Sequence, residues 1–459
     1  MPAAKANPGP DRCQSKKEQG YMSYKLNREA YEARMSWYNE ARFGMFIHWG
    51  LYAIPARGEW IRSQEEITRE AYMRYFEEFN PSAYNPRDWA RQAKAAGMKY
   101  MVLTAKHHDG FCLWDTDTTD FKATRTHCGR DLIREYVDAV RAEGLKVGLY
   151  YSLLDWYHED YPHYGDRQHP MRNHPEYSNE GRVWERYVAY MHEQVRELCS
   201  RYGQIDLLWF DFSYDDLVGE KWGATQLVDM VRSLQPQVII DNRLEASGQG
   251  FGSLASGHPT PYHGDFVSPE QIIPPEGISD VYGNPLYWEA CITMNNHWGY
   301  CGTDQEFKPA AMLIRKLVEC VSKGGNLLLN VGPDANGRIP AQSQEILRHI
   351  GTWMEKNAAS IYGCGRAEGL PKPDFGRYTR KGQHLYYHLY ENAVGPMPLP
   401  GLKEAEIKQI RLLADGREIP VSHIWMSSNY PDTVFADLGS NPLLDDPDDT
   451  VLDITLQDN

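Results

Sequence analysis

Two segments of this 459-residue chain carry chemically capable side chains out of apolar runs. TAKHHDGF, residues 104–111, leaves a strand-like run at His107, His108 and Asp109, and LLWFDF, residues 207–212, leaves one at Asp211. Ending an apolar stretch in a buried, unpaired carboxylate is costly. Asp211 therefore needs a partner or a task, and a nucleophile is a task that suits a strand end. His48 stands at the exit of another apolar run, FIHWGLYAIP, and Glu59 and Trp60 follow it in RGEW. Tyr150, Trp209 and Arg243 stand at further strand ends. Strands that all turn polar or aromatic at their C-terminal ends converge on one rim, where (β/α)8 barrels hold their chemistry.

A retaining glycosidase needs two carboxyl groups about 5–5.5 Å apart, one ionised and one protonated. Asp211 has the position of the first. Two residues compete for the second: Glu270 in the loop GDFVSPEQIIPPEG and Glu289 in the strand YWEACITM. A partly desolvated loop carboxyl beside an anionic partner is held protonated, as a general acid requires, which favours Glu270 as acid/base and leaves Glu289 as second choice. His107 and His108 are consecutive, so on an extended strand they point to opposite sides and share one ion poorly. No H-x-H or HExxH pattern accompanies them, and no metal is expected. Where the strand leaves its pleat, both rings can contact one substrate. The 13 Trp and 30 Tyr, many in loops, fit a sugar, whose apolar C–H faces are ringed by hydroxyls. Two other readings compete: a metal-dependent barrel hydrolase using the histidines, and a catalytically inactive sugar-binding protein.

The elements that must position these groups are short β-branched and aromatic runs at 44–49, 100–106, 146–151, 205–210, 238–242, 287–294 and 326–331, with a weaker one near 265–267. Helical patterns separate several of them, at 85–96, 131–143, 183–201, 225–234, 309–322 and 341–355. Strands alternating with helices predict a parallel sheet, and eight strands predict a (β/α)8-like TIM barrel. A doubly wound sheet would need an early glycine-rich phosphate turn, which the chain lacks. Beyond residue 358 the strand patterns run without helices between them, and ADGREI (414–419) carries a hairpin Asp-Gly, so a small antiparallel β-sandwich is expected. The predicted division is a disordered tail at 1–25, the catalytic barrel at 26–357 and the sandwich at 358–459. The loop 156–175, rich in Tyr, His and Asp, is expected to wall the leaving-group side.

A formal net charge of −15 argues against nucleic-acid and anionic-membrane partners by long-range repulsion. Eight scattered cysteines with no CxxC pair read as thiols of a reducing compartment. The N-terminal segment has no apolar core of a leader, and no 18 apolar residues run together, so a cytoplasmic protein is expected. Its oligomeric state is left open.

Taken in order, FGMFIHWG, GEW, TAKHHDGFCLW, GLYYS, LLWFDF, the WEAC…WGY segment of 288–300 and GGNLLLNVGP resemble the α-L-fucosidases of glycoside hydrolase family 29, across about residues 38–363. The resemblance implies retaining hydrolysis of terminal α-L-fucosides, on oligosaccharides or glycoconjugates, without metal or other cofactor. It implies Asp211 as the nucleophile and His48, Glu59, Trp60, His107, His108, Tyr150, Trp209 and Arg243 as fucose-pocket residues. Glu270 in DFVSPE is similar to the family's DFxTxE stretch, with Ser268 where Thr is common. His297 stands where Ser often precedes the family's WGY. Phe46, Trp209 and Trp298 are the expected walls of a niche for the fucose methyl.

Overall fold

Side-chain alternation with a period of two decides which strand residues meet inside a closed sheet. The computed structural model describes residues 24–247 and 250–457. In it seven parallel strands run β1 (Phe43–Ile47), β2 (Tyr100–Lys106), β3 (Lys146–Ser152), β4 (Leu207–Asp211), β5 (Ile239–Ile240), β6 (Glu289–Thr293) and β7 (Asn326–Val331). Their order around the sheet is β5-β4-β3-β2-β1-β7-β6. The weak strand expected near 265–267 closes the gap as isolated parallel bridges, Asp241 with Phe266 and Val267 with Trp288. These bridges close the strand ring of the (β/α)8-like barrel, with its eighth stave joined only locally.

Inward-facing Phe46, Tyr100, Tyr150, Leu207, Trp209 and Cys291 belong to one buried cluster. Their neighbours Met45, Met101, Leu149, Leu208 and Ala290 belong to another, shared with the surrounding helices. Gly44 is required by this arrangement, since a Cβ there would lie 2.4 Å from the Tyr100 ring. A helix absent from the predicted patterns, Arg28–Ala41, buries Tyr31, Met35 and Tyr38 in the inner cluster and plugs the N-terminal end of the barrel.

After the helix Ala341–Asn357 come two antiparallel sheets. One has four strands, ordered β11 (Ile407–Leu412), β13 (Thr450–Leu456), β9 (His384–Leu389) and β8 (Gly376–Lys381); the other pairs β10 (Met397–Pro400) with β12 (Thr433–Ala436). They share a separate apolar core. This small sandwich is tied to the barrel's helices where Trp353 donates its indole N–H to Asp449 O at 2.9 Å and Arg315 Nε donates to Asp448 O at 2.8 Å. The seven cysteines among the described residues are free thiols, and Cys13 lies outside them. The predicted tail at 1–25 also lies outside the described residues, apart from its last two. Among the described residues no helix is long and apolar enough to cross a membrane.

Where the eighth stave lacks a regular ladder, Asp265 braces the closure that the bridges make. Its buried carboxylate accepts from Arg34 at 2.9 Å, from Arg232 and from the Ile240 N–H at 2.9 Å, joining the plug helix, an outer helix and β5. Burial alone would raise its pKa, but Arg232 and Arg34 outweigh burial and hold the carboxyl below its ordinary value. Removing one partner of such a buried set costs about 3–5 kcal/mol. Asp265→Ala is therefore expected to lower the denaturant midpoint of the barrel by that equivalent, followed by tryptophan fluorescence. An unchanged midpoint would show that closure rests elsewhere.

Candidate active site

At the C-terminal rim the inward positions of neighbouring strands form a pocket of about 310 Å³, mouth included. His48 follows β1, His107 and His108 follow β2, Tyr150 lies on β3, Trp209 and Asp211 on β4, and Cys291 on β6. Phe46, Trp60, Phe212, Glu270 and Trp298 complete the lining. A roomier cleft of about 950 Å³ lies beyond the 297–301 turn but contains neither Asp211 nor Glu270. The carboxylate pair sits in the tighter one.

Arg243 organises the carboxylates. From the short turn Asn242–Leu244 after β5, its buried guanidinium donates to Asp211 Oδ1 at 3.1 Å through Nη1 and to Glu270 Oε2 at 3.0 Å through Nη2. Nε donates to Ser268 Oγ at 2.9 Å, and the guanidinium carbon stands 4.7 Å from the Trp209 ring centre. Tyr150 donates its hydroxyl to the other Asp211 oxygen at 2.9 Å. Burial pushes the Asp211 carboxyl up, Arg243 opposes that shift, and repulsion from Glu270 adds to it, leaving it at about 7. The Glu270 side chain is 40% exposed against 11% for Asp211, so one carboxylate sits at the mouth and the other inside.

Hydrogen bonds fix the histidine tautomers. Asn330 donates its amide nitrogen to Trp298 O at 2.8 Å, which turns its Oδ1 towards His48 Nδ1 at 2.7 Å. His48 Nδ1 must then carry the proton, leaving Nε2 as an acceptor. Ser152 donates its hydroxyl to Leu154 O, so His108 Nδ1, 2.6 Å from Ser152 Oγ, carries a proton too. Its Nε2 faces Asp211 Oδ2 at 4.0 Å. Burial lowers the pKa of His48 to about 3 and takes His107 and His108 well below 6.5, so all three rings are neutral. The chain leaves β2 at Lys106 and turns, which brings the His107 and His108 rings within 4.0 Å of each other on one pocket wall. The surface therefore offers lone pairs to hydroxyl donors over an aromatic floor of Phe46, Trp209 and Trp298. Among the described residues no three His, Cys, Asp or Glu side chains gather as a metal shell would.

Two sequence-derived candidates stand elsewhere. Glu289 is the first residue of β6, at the opposite end of the barrel from Asp211, the last residue of β4, and it accepts from the Tyr100 hydroxyl. Burial pushes its carboxyl up to about 7. It faces inward as expected, but at the wrong end, so its place as second choice for acid/base is corrected. Glu59 does not line the pocket; its buried carboxylate accepts from Gly299 N–H at 2.8 Å and holds the turn that carries Trp298. In the loop 156–175, Tyr157 is stacked on Phe121 at 3.9 Å beneath the Arg69 guanidinium, and His163 on His169 at 4.2 Å. Phe212, Cys291, Asn330 and Ser152 are the site's unanticipated members. Asn330, a polar residue interrupting LLLNVGP, was the one with a visible signal.

A family model described as Alpha-L-fucosidase matches residues 11–359. The tissue alpha-L-fucosidase of Bos taurus is 30% identical over 376 residues, which cover 76% of this chain and 74% of the relative. Among solved structures, alpha-L-fucosidase isoenzyme 1 from Paenibacillus thiaminolyticus is 56% identical with a TM-score of 0.90, covering 94% of this chain and 100% of that one. An alpha-L-fucosidase GH29 from Bacteroides thetaiotaomicron, solved as a trapped covalent intermediate with 2-fluoro-fucosyl fluoride, is 27% identical with a TM-score of 0.80, covering 96% and 98%.

The geometry makes Asp211 and Glu270 a coupled pair across Arg243. In ¹³C-carboxyl NMR, the aspartate resonance missing from Asp211→Asn should titrate at about 7 in the wild type. In Glu270→Gln it should move to lower pH, because the like charge that disfavours ionisation is gone. A resonance titrating near the ordinary aspartate value of about 3.9, or one unmoved by Glu270→Gln, would contradict the coupling.

Proposed function

The chain belongs to the α-L-fucosidase family, and from that membership and the pocket's chemistry we propose that it hydrolyses terminal α-L-fucosides on oligosaccharides or glycoconjugates with retention of configuration. One observation carries the reading: a single buried guanidinium holds two carboxylates on its neighbouring terminal nitrogens, one inside the pocket and one at its mouth. Such closeness suits a nucleophile and acid/base of a retaining enzyme, about 5–5.5 Å apart, better than the 6.5–9.5 Å or so that an inverting enzyme leaves for water.

In this reading Asp211 attacks the anomeric carbon while Glu270 protonates the departing glycosidic oxygen. The ester on Asp211 is then opened by a water that Glu270, now a carboxylate, deprotonates. Arg243 favours the ionised nucleophile and Tyr150 orients its second oxygen. His48 and His108 accept hydrogen bonds from hydroxyls of the sugar through Nε2, with His107 beside them. Charge that develops on the sugar ring strengthens these bonds in the transition state, where they accelerate the reaction. Phe46, Trp209 and Trp298 give the C6 methyl an apolar niche. Trp60 and Phe212, half-buried beside His108, continue the aromatic wall outward. Glu59 acts at one remove, through the turn bearing Trp298.

The test is hydrolysis of 4-nitrophenyl α-L-fucoside. Asp211→Ala should be inactive, and Glu270→Ala should lose about 10²–10⁴-fold and recover with azide, releasing fucosyl azide of retained configuration. EDTA should change neither the wild type nor the variants. Activity abolished by EDTA would replace this reading with a metal-dependent one, and a fully active Glu270→Ala would move the acid/base to another residue.

A further inference from the structure

Glu270 lies on an irregular loop, yet acid catalysis demands that its carboxyl be held to within a fraction of an ångström. The residues on either side of it are bonded to β6. Cys291 donates its N–H to Pro269 O at 3.1 Å, and Gln271 donates its N–H to Cys291 O at 2.9 Å. Gln271 then turns the chain with φ of 56°, the left-handed region that non-glycine residues enter at a cost and keep only when their surroundings enforce it.

The enforcement is visible in its side chain. Its amide nitrogen donates to Thr293 Oγ1 at 2.9 Å, and its amide oxygen accepts from Thr293 N–H at 3.3 Å. Thr293, the last residue of β6, is buried and donates its own hydroxyl to Asn295 O at 2.6 Å. Lys308 Nζ ties the same corner by donating to Thr293 O and Asn295 O, both at 2.8 Å. A strand end thus holds the exposed side chain that follows Glu270 by two hydrogen bonds.

We propose that Gln271 is a positioning residue for the acid/base: its amide clamp on Thr293 and its left-handed backbone aim the Glu270 carboxyl at the leaving oxygen. The proposal rests on Glu270 being the acid/base. Departure of phenolate from the sugar needs a proton, whereas 2,4-dinitrophenolate departs without one. The ratio of kcat/KM for phenyl α-L-fucoside to that for the dinitrophenyl fucoside therefore reads acid placement and is blind to general damage.

Wild type, Gln271→Ala, Gln271→Gly and Glu270→Ala are compared. Glycine adopts the required φ without strain, so Gln271→Gly keeps that turn accessible while removing the amide clamp, and it is the decisive variant should the alanine protein fail to fold. The expected result is a ratio lowered about 10-fold in the Gln271 variants and about 10²-fold or more in Glu270→Ala. A wild-type ratio in Gln271→Gly, whether or not both rates fall together, overturns the positioning role while Glu270→Ala keeps its own loss. A wild-type ratio in Glu270→Ala instead overturns the assignment of Glu270, and the positioning role with it.

Discussion

A guanidinium buried at the C-terminal end of a barrel is expensive unless its charge and donors are met, and around Arg243 they are met by the two carboxylates of the pocket and by Ser268. Burial works against its charge, but Asp211 and then Glu270 raise its pKa, so it stays cationic. Its terminal nitrogens hold the two carboxylates, Nε and Nη2 hold the Ser268 hydroxyl and carbonyl, and its flat face lies on Trp209. Arg suits this place where Lys would not, because the planar fork sets the separation and direction of its partners. A point charge on a flexible stem would leave the carboxylates free to part.

The barrel and the site depend on each other through this contact. Arg243 follows β5, the shortest strand, next to the eighth stave that closes only by isolated bridges. Irregularity at that point lets the segment 265–270 bend over the rim and deliver Ser268 and Glu270 to the guanidinium. Regular strands supply the rest: β3 and β4 carry Tyr150, Trp209 and Asp211, and β1 and β2 lead into His48 and the His107–His108 pair, while Asn330 and Ser152 fix His48 and His108 as acceptors. Regular staves thus carry Asp211 and the inner pocket groups, and the irregular one carries Glu270.

Much of this was legible in the sequence because strands have a period of two and end at a common rim. Leu207, Trp209 and Asp211 share a face by spacing alone, and so do Phe46 and His48. Depth along the barrel is harder to read. Glu289 and Asp211 are both inward carboxylates, and only the register of β6 against β7, which pairs Glu289 with Asn326 at the strand starts, shows that they stand at opposite ends. Glu59 follows the same logic, since a GEW tripeptide does not reveal whether its carboxylate meets a ligand or the Gly299 amide. The plug helix Arg28–Ala41 did have a signal, the spacing of Tyr31, Met35 and Tyr38, inside an otherwise polar segment. Strand β8, GRYTRK, had little, because its pairing with β9 rather than its own composition makes it a strand.

The most direct measurement is to incubate Glu270→Gln, in which opening of the sugar ester is expected to be slow, with 2-fluoro-fucosyl fluoride and to map the product by peptide mass spectrometry. One 2-fluorofucosyl group on the peptide containing Asp211, at that side chain, is the expected result. Fluoride released without a covalent adduct, or the sugar found on any other residue, would contradict a double displacement through Asp211.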